Sequence, residues 1–140
     1  MDYRRTDPEF AALAEAFARH EVPGDPDCTL DPVTRSLAVL ATLVGCQGVE
    51  LFKLVLPEAL DAGLTPVMAK ELVYQGVDYL GLGRVLPFVD AVNQVLTARG
   101  VALPLPSQST TTPETRLEKG VDAQVTIFGD GMRDAWRQGT

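Results

Sequence analysis

Apolar residues recur at intervals of three and four along most of the 140-residue chain, and this spacing predicts helices rather than strands. No stretch shows the strict alternation of polar and apolar residues that is typical of a half-buried strand. Glycine and proline interrupt the pattern and separate one segment from the next. The predicted helices span residues 8–20, 32–45, 48–62, 66–80, 84–99, 113–128 and 130–138. The pattern therefore indicates an all-α protein.

Short polar residues followed by proline mark several of the predicted helix starts. Asp31 and Thr65 each stand before a proline, which is the order of an N-cap and a first helical residue. Gly63 is placed to end the third helix. Pro57 lies inside that helix and removes one hydrogen bond, so we expect a kink or a short break there. Gly76 lacks a side chain and so allows another helix to approach closely.

The pattern divides the chain into a helical domain, a linker and a helical tail. The domain covers residues 1–100. Residues 101–112 have no helical period and contain prolines that favour extended backbone, which predicts a linker lying on protein surface. Residues 113–140 form the tail. Exposed apolar surface costs about 25 cal/mol per Å², so we expect the tail to dock on its own subunit or, preferably, on a neighbouring one. The apolar stripe that would dock comprises Leu117, Val121, Val125 and Phe128.

The charge of the chain narrows its possible partners. The formal net charge is −7 at neutral pH, and an acidic surface repels phosphate backbones and anionic headgroups. We therefore expect neither nucleic acid nor a membrane as a partner. No apolar run approaches the roughly twenty residues that a spanning helix needs. The first residues lack the apolar core of a secretory signal, so we expect a cytoplasmic location.

Few residues in the chain are suited to metal or redox chemistry. There are two cysteines, Cys28 and Cys46, and one histidine, His20. These are too few for a protein-built zinc site, so no metal is predicted. The cysteines are far apart in sequence and are interpreted as small hydrophobic residues rather than a disulfide. His20 falls at the predicted end of the first helix, where a cation complements the helix dipole.

Four sequence pieces in order resemble one known family. Residues 30–35 read Leu-Asp-Pro-Val-Thr-Arg, residues 58–63 read Glu-Ala-Leu-Asp-Ala-Gly, Thr65 precedes a proline, and residues 73–76 read Val-Tyr-Gln-Gly. Together they resemble the carboxymuconolactone decarboxylase family, whose fold is shared with the alkylhydroperoxidase AhpD. The stretch Arg-Leu-Glu-Lys-Gly to Phe-Gly at residues 116–129 extends the resemblance. It makes the chain similar to the first half of a two-repeat member.

The resemblance implies both an architecture and a type of chemistry. It implies an AhpD-like helical bundle of about six or seven helices, assembled as a homo-oligomer such as a trimer or hexamer. It also implies a lyase without cofactors that acts on a small carboxylic acid or lactone. Members with this chemistry place a histidine eight residues before the glycine that corresponds to Gly63. That position is occupied here by Val55.

Five residues are the candidates for a site. Glu50, on an otherwise apolar part of the third helix, is the acid or base candidate, although a carboxylate near a helix N-terminus also has a purely stabilising role. Arg35 could hold a substrate carboxylate or pair with a neighbouring acid. Tyr74, which matches the family's Tyr-x-Gly, could line the cavity or pack in the core. Cys46 precedes a helix N-terminus. Val55 occupies the histidine position.

Three functional hypotheses follow. The first is cofactor-independent decarboxylation of a small carboxylated lactone or related acid. The second is a non-catalytic half-repeat or structural subunit that lacks the family histidine. The third, a thiol peroxidase, is weakened because the usual relay needs two cysteines on one helical turn. The first predicts that Glu50 points into a pocket with at least one hydrogen-bond donor, whereas an exposed Glu50 beside a purely apolar pocket would exclude it for this chain alone.

Overall fold

A computed structural model describes residues 3–139 of the chain. Helices account for nearly all the regular structure in this part, and no strand occurs in it, which confirms the all-α prediction. The backbone divides into two compact units, with the boundary between Leu103 and Pro104. The first unit contains α1 (Tyr3–Thr6), α2 (Pro8–Ala16), a π-helical turn (Phe17–Glu21), α3 (Val22–Gly24), α4 (Pro32–Gly45), α5 (Val49–Asp61), α6 (Pro66–Gln75), α7 (Val77–Leu80) and α8 (Leu82–Ala98). The second contains α9 (Arg116–Phe128) and α10 (Gly131–Gln138).

The predicted start signals at Asp31 and Thr65 cap their helices. The Asp31 carboxylate accepts hydrogen bonds from the backbone N–H groups of Val33 and Thr34, both at 3.0 Å, and α4 begins at the following proline. The Thr65 hydroxyl accepts one from the Met68 N–H at 3.1 Å at the start of α6. These bonds satisfy N–H groups that have no partner within the helix.

Glycines allow two helix features that other residues would disfavour. Gly63 has φ +106° and closes α5, with the Leu64 N–H bonded to the Ala59 carbonyl in a Schellman arrangement. Gly76 separates α6 from α7, and a Cβ added there would lie 3.4 Å from Val44 and 3.5 Å from Val85. The predicted close approach at Gly76 is therefore present, because α4 and α8 both pack against that position.

Several helix boundaries differ from the predicted ones: α9 begins at Arg116 rather than at residue 113, and the predicted helix over 66–80 is divided at Gly76. The helical path of the first segment does not end at His20 but continues through the π-helical turn and α3 to Gly24. Pro23 is tolerated there because it stands in the first turn of α3, where no intrahelical N–H is needed. The helix α5 runs without a break from Val49 to Asp61, across Pro57.

The core of the first unit lies between α4, α5, α6 and α8. Phe52 on α5 and Phe88 on α8 are fully buried and meet edge to face, with ring centroids 5.3 Å apart and planes at 81°. Val101 and Leu103, the first apolar residues after α8, pack against this core. These residues belong to the first unit, whereas the predicted linker began at residue 101. Further fully buried side chains are Leu40, Leu56, Val73, Val85, Val92 and Leu96.

The second unit is a helical hairpin. The Trp136 indole N–H on α10 donates to the Gln124 side chain on α9, and Arg133 pairs with Asp122 at 3.0 Å. Leu117 of the predicted apolar stripe is exposed in this structure. Docking of the tail on a neighbouring subunit remains a prediction.

Candidate functional site

A pocket of about 430 Å³ in the first unit contains the position that the family assigns to histidine. One wall is formed by α1, α2 and the π-helical turn, and the other by α4 and α5. Val55 on α5 and Arg35 on α4 both line it. We call this cavity the Val55 pocket. Its volume is within the usual range for small-molecule sites.

The first wall of the Val55 pocket combines short apolar side chains with charged ones. Ala14 on α2 and Ala18 in the π-helical turn line the pocket. The large apolar residues of the same segment point elsewhere, since Phe10, Leu13 and Phe17 are all exposed. Isolated π-helical turns of this kind occur often at functional sites. The segment thus presents a small and partly charged face to the pocket.

Among the described residues, Arg35 is the arginine lining the pocket that has no acidic partner. Its Nη2 donates to the Leu30 carbonyl at 3.1 Å and lies 3.8 Å from the Cys28 sulfur. Its Nε is buried and has no hydrogen-bond partner among the described residues. The alternative prediction was that Arg35 pairs with a neighbouring Asp or Glu. No such ion pair occurs among residues 3–139. A half-buried guanidinium with unused N–H donors is suited to bind an anion.

Two ion pairs accompany Arg35 in the same pocket. Arg19 Nη2 bonds to both oxygens of Glu58, at 2.6 and 2.8 Å, and so connects the π-helical turn to α5. Arg4 pairs with Glu15 between α1 and α2. The hydrogen bond and charge of Glu15 raise the pKa of Arg4, and the charge of Glu58 adds a smaller contribution. The pocket is therefore polar on one side, not purely apolar.

Glu50, the predicted acid or base, does not line the Val55 pocket. Its side chain is 84% exposed in the first turn of α5, and Lys53 Nζ lies 3.2 Å from its carboxylate. Val55 follows Glu50 by five residues, so the two project in different directions from the helix. The surroundings of Glu50 are those of a solvated helix-start carboxylate.

Tyr74 and Cys46 also lie outside the Val55 pocket. Tyr74 is partly exposed on α6, with the Lys70 ammonium 5.9 Å from its ring centroid. Cys46 is exposed, and its sulfur lies 3.7 Å from the Leu43 carbonyl. Both cysteines are free. Of the five predicted site residues, the structure brings together Arg35 and Val55.

Sequence reasoning missed Glu58 and Arg19 as pocket residues. Glu58 follows Val55 by three positions, so one helical turn places both on the same face of α5. That spacing was a usable signal for Glu58. Arg19 had no such signal, because its position depends on how the first helical segment packs on α5. His20, its neighbour, is exposed and does not line the pocket.

A second concavity, a groove of about 760 Å³, lies along α4, α6 and α7. Its walls are mostly apolar, and Glu71 is its one ionisable residue besides Tyr79. The groove contains none of the five predicted site residues. It therefore has little of the polar chemistry found in the Val55 pocket.

Neither metal binding nor membrane insertion has support in the described residues. Between Tyr3 and Gly139, no group of three or more His, Cys, Asp or Glu side chains is arranged to hold a metal ion. None of the helices in that range is long and apolar enough to cross a membrane.

Comparison with known proteins gives one clear match. The model of the carboxymuconolactone decarboxylase family matches residues 8–94, which is more than half of the chain. The matched range includes every pocket-lining element except α1. Comparisons with curated proteins and with solved structures found no match.

Proposed function

The chain belongs to the carboxymuconolactone decarboxylase family, and we propose that its Val55 pocket binds a small carboxylated lactone or related acid without decarboxylating it unaided. The observation that carries this proposal is Arg35, which lines the pocket with unused hydrogen-bond donors and no acidic partner. The apolar surface around Val55 would contact the ring of the ligand. In this role the protein supplies the ligand-binding residues of the site but not its proton donor.

Recognition of the ligand would rest on charge and geometry together. A guanidinium can donate two parallel hydrogen bonds to one carboxylate. Arg35 is half-buried, so water screens its charge less than that of an exposed arginine. Its Nη2 bond to the Leu30 carbonyl holds the guanidinium in place before the ligand arrives, which reduces the entropy lost on binding.

The missing proton donor is the reason for proposing binding without turnover. Loss of CO₂ from a ligand leaves an electron pair on carbon, which must be held as an enolate and then take up a proton. Val55 cannot carry a proton, and Glu50 is exposed away from the pocket. In the proposed role, a histidine-bearing chain would supply that proton.

A second candidate function is decarboxylation by the chain itself, with Glu58 as the proton carrier. The observation in its favour is that Glu58 lines the same pocket as Val55, one helical turn further along α5. In this reaction the C–C bond to the carboxylate breaks, CO₂ leaves, and the enolate of the neighbouring lactone carbonyl forms beside Arg35. A proton from the Glu58 carboxyl then quenches the carbanionic carbon. The Glu58 carboxylate, which accepts a hydrogen bond from Arg19 Nη2 at 2.6 Å, must first leave Arg19 and take up a proton from water.

Binding is tested by titration calorimetry with α-carboxy-γ-butyrolactone, a lactone whose carboxylate stands next to the carbonyl. We expect the wild type to bind it and Arg35→Gln to weaken the affinity by about tenfold or more, as for the loss of a charge-assisted hydrogen bond. Arg84→Gln is the matched control, because Arg84 is exposed and outside the pocket. Equal effects of the two substitutions would contradict the proposal.

Turnover is tested by measuring CO₂ release from the same lactone. We expect the wild type to match the rate without protein, and Val55→His to exceed it, because the imidazole restores a group that titrates near neutral pH. CO₂ release by the wild type that is lost in Glu58→Gln would instead establish the second candidate.

A further inference from the structure

Charged residues of the Val55 pocket do more than attract an acid, because their pairing limits how many carboxylates fit. The pocket is lined by three arginines and two glutamates. Arg4 is paired with Glu15, and Arg19 is paired with Glu58, which leaves Arg35 without an acidic partner in the part of the chain that the structure describes. The lining as a whole thus carries one net positive charge, enough to neutralise a single carboxylate.

We propose that Glu58 determines the charge of the ligand, because it occupies Arg19 and thereby restricts the Val55 pocket to acids with one carboxylate. This inference rests on the proposed function of the pocket. It concerns the class of ligand rather than the existence of binding. Arg19 would be able to bind a second carboxylate, but it already binds the carboxylate of Glu58.

The geometry of the Arg19–Glu58 pair is that of an occupied anion site. One guanidinium nitrogen donates to both oxygens of the carboxylate, at 2.6 and 2.8 Å. The carboxylate thereby neutralises the guanidinium charge that a second ligand carboxylate would need. The pair joins residues 39 positions apart in sequence and stands at the edge of the cavity, on the π-helical turn and α5.

Glu58 also repels a second negative charge. A dicarboxylate bound at Arg35 would place its other carboxylate in a pocket where the remaining arginines are already paired. A carboxylate without a cationic partner is unfavourable there, because water solvates it only partly inside a cavity. An acid with one carboxylate avoids this cost.

Both members of the pair are nearly half exposed. Exposed ion pairs contribute little to folding stability, so removing the carboxylate should leave the fold intact while freeing the arginine. This makes Glu58→Gln a suitable test, because the amide is nearly the same shape and has no charge.

The experiment compares two ligands by calorimetry: α-carboxy-γ-butyrolactone and its α,β-dicarboxylate analogue. We expect wild type to prefer the monocarboxylate. In Glu58→Gln, we expect the ratio of dicarboxylate affinity to monocarboxylate affinity to rise about tenfold, the effect of one new charge-assisted interaction. Thermal melts followed by circular dichroism are the control for the folding of the variant.

Two further variants isolate the cause. Glu50→Gln makes the same charge change on the same helix outside the pocket and should not alter the preference. The double variant Arg19→Gln/Glu58→Gln lacks the freed cation, so the dicarboxylate gain should disappear. A wild type that already prefers the dicarboxylate, or a gain that equals that of Glu50→Gln or survives in the double variant, would overturn the inference. Failure of the wild type to bind the monocarboxylate would overturn the proposed function instead.

Discussion

Replacement of Phe88 by alanine should remove a large part of the stability of the first unit. Phe88 on α8 is fully buried, and its ring meets that of Phe52 edge to face at 5.3 Å. Deleting a buried phenyl group costs about 3–5 kcal/mol, from lost burial and from the cavity that remains. The edge-to-face contact accounts for about 0.5–1.5 kcal/mol beyond burial. Since small domains are stable by about 5–15 kcal/mol, we expect a marked loss.

The assay is urea unfolding followed by far-UV circular dichroism. Tryptophan fluorescence is less suitable, because the single tryptophan, Trp136, lies in the second unit. The matched control is Leu86→Ala, also on α8 but 51% exposed, which should change the unfolding free energy by less than about 0.5 kcal/mol.

A double-mutant cycle separates the ring contact from burial. Phe88→Leu and Phe52→Leu keep the core apolar, and we expect a coupling free energy of about 0.5–1.5 kcal/mol between them. Losses for Phe88→Ala and Leu86→Ala that agree within error, together with no coupling in the cycle, would refute the placement of these rings at the centre of the core.

Two further predictions concern a helix cap and a helix contact. Hydrogen bonds from the Thr34 hydroxyl and N–H lower the pKa of Asp31 below 3.8, so its cap stabilises the protein above that pH and is lost as pH falls through the lowered value. Asp31→Ala should therefore melt a few degrees lower than wild type at pH 7, and the difference in melting temperature should shrink below about pH 3.8. Asp31→Asn should retain most of the cap. A difference in melting temperature that does not depend on pH would contradict this prediction. Gly76→Val should destabilise the protein by about 1–3 kcal/mol in urea unfolding because the side chain meets two packed helices, while Gly45→Ala, which meets nothing within 4 Å, should be neutral or stabilising.

Much of the fold could be predicted because its signals are local. Asp31 and Thr65 cap the helices that begin after them, and Gly63 ends α5. These features depend on a few neighbouring residues, so sequence spacing is sufficient to find them. The boundary after His20 was wrong, because proline interrupts a helix interior but is tolerated in a first turn.

The site could be predicted only in part. The spacing to Gly63 located Val55, and the charge of Arg35 suggested a carboxylate contact; both residues line one pocket. Glu50 was chosen for its apolar neighbours in sequence, yet its side chain is 84% exposed. An apolar stretch of sequence does not show which way a single side chain points.

The sequence by itself determined the helices, their caps and the family, because each depends on residue type at short range. Only the tertiary structure decided that Arg19 pairs with Glu58 and that Arg35 lacks an acidic partner. The reason is physical: a pairing across 39 residues depends on the packing of one helical segment against another, and the free charge of a pocket is what remains after all such pairings are made.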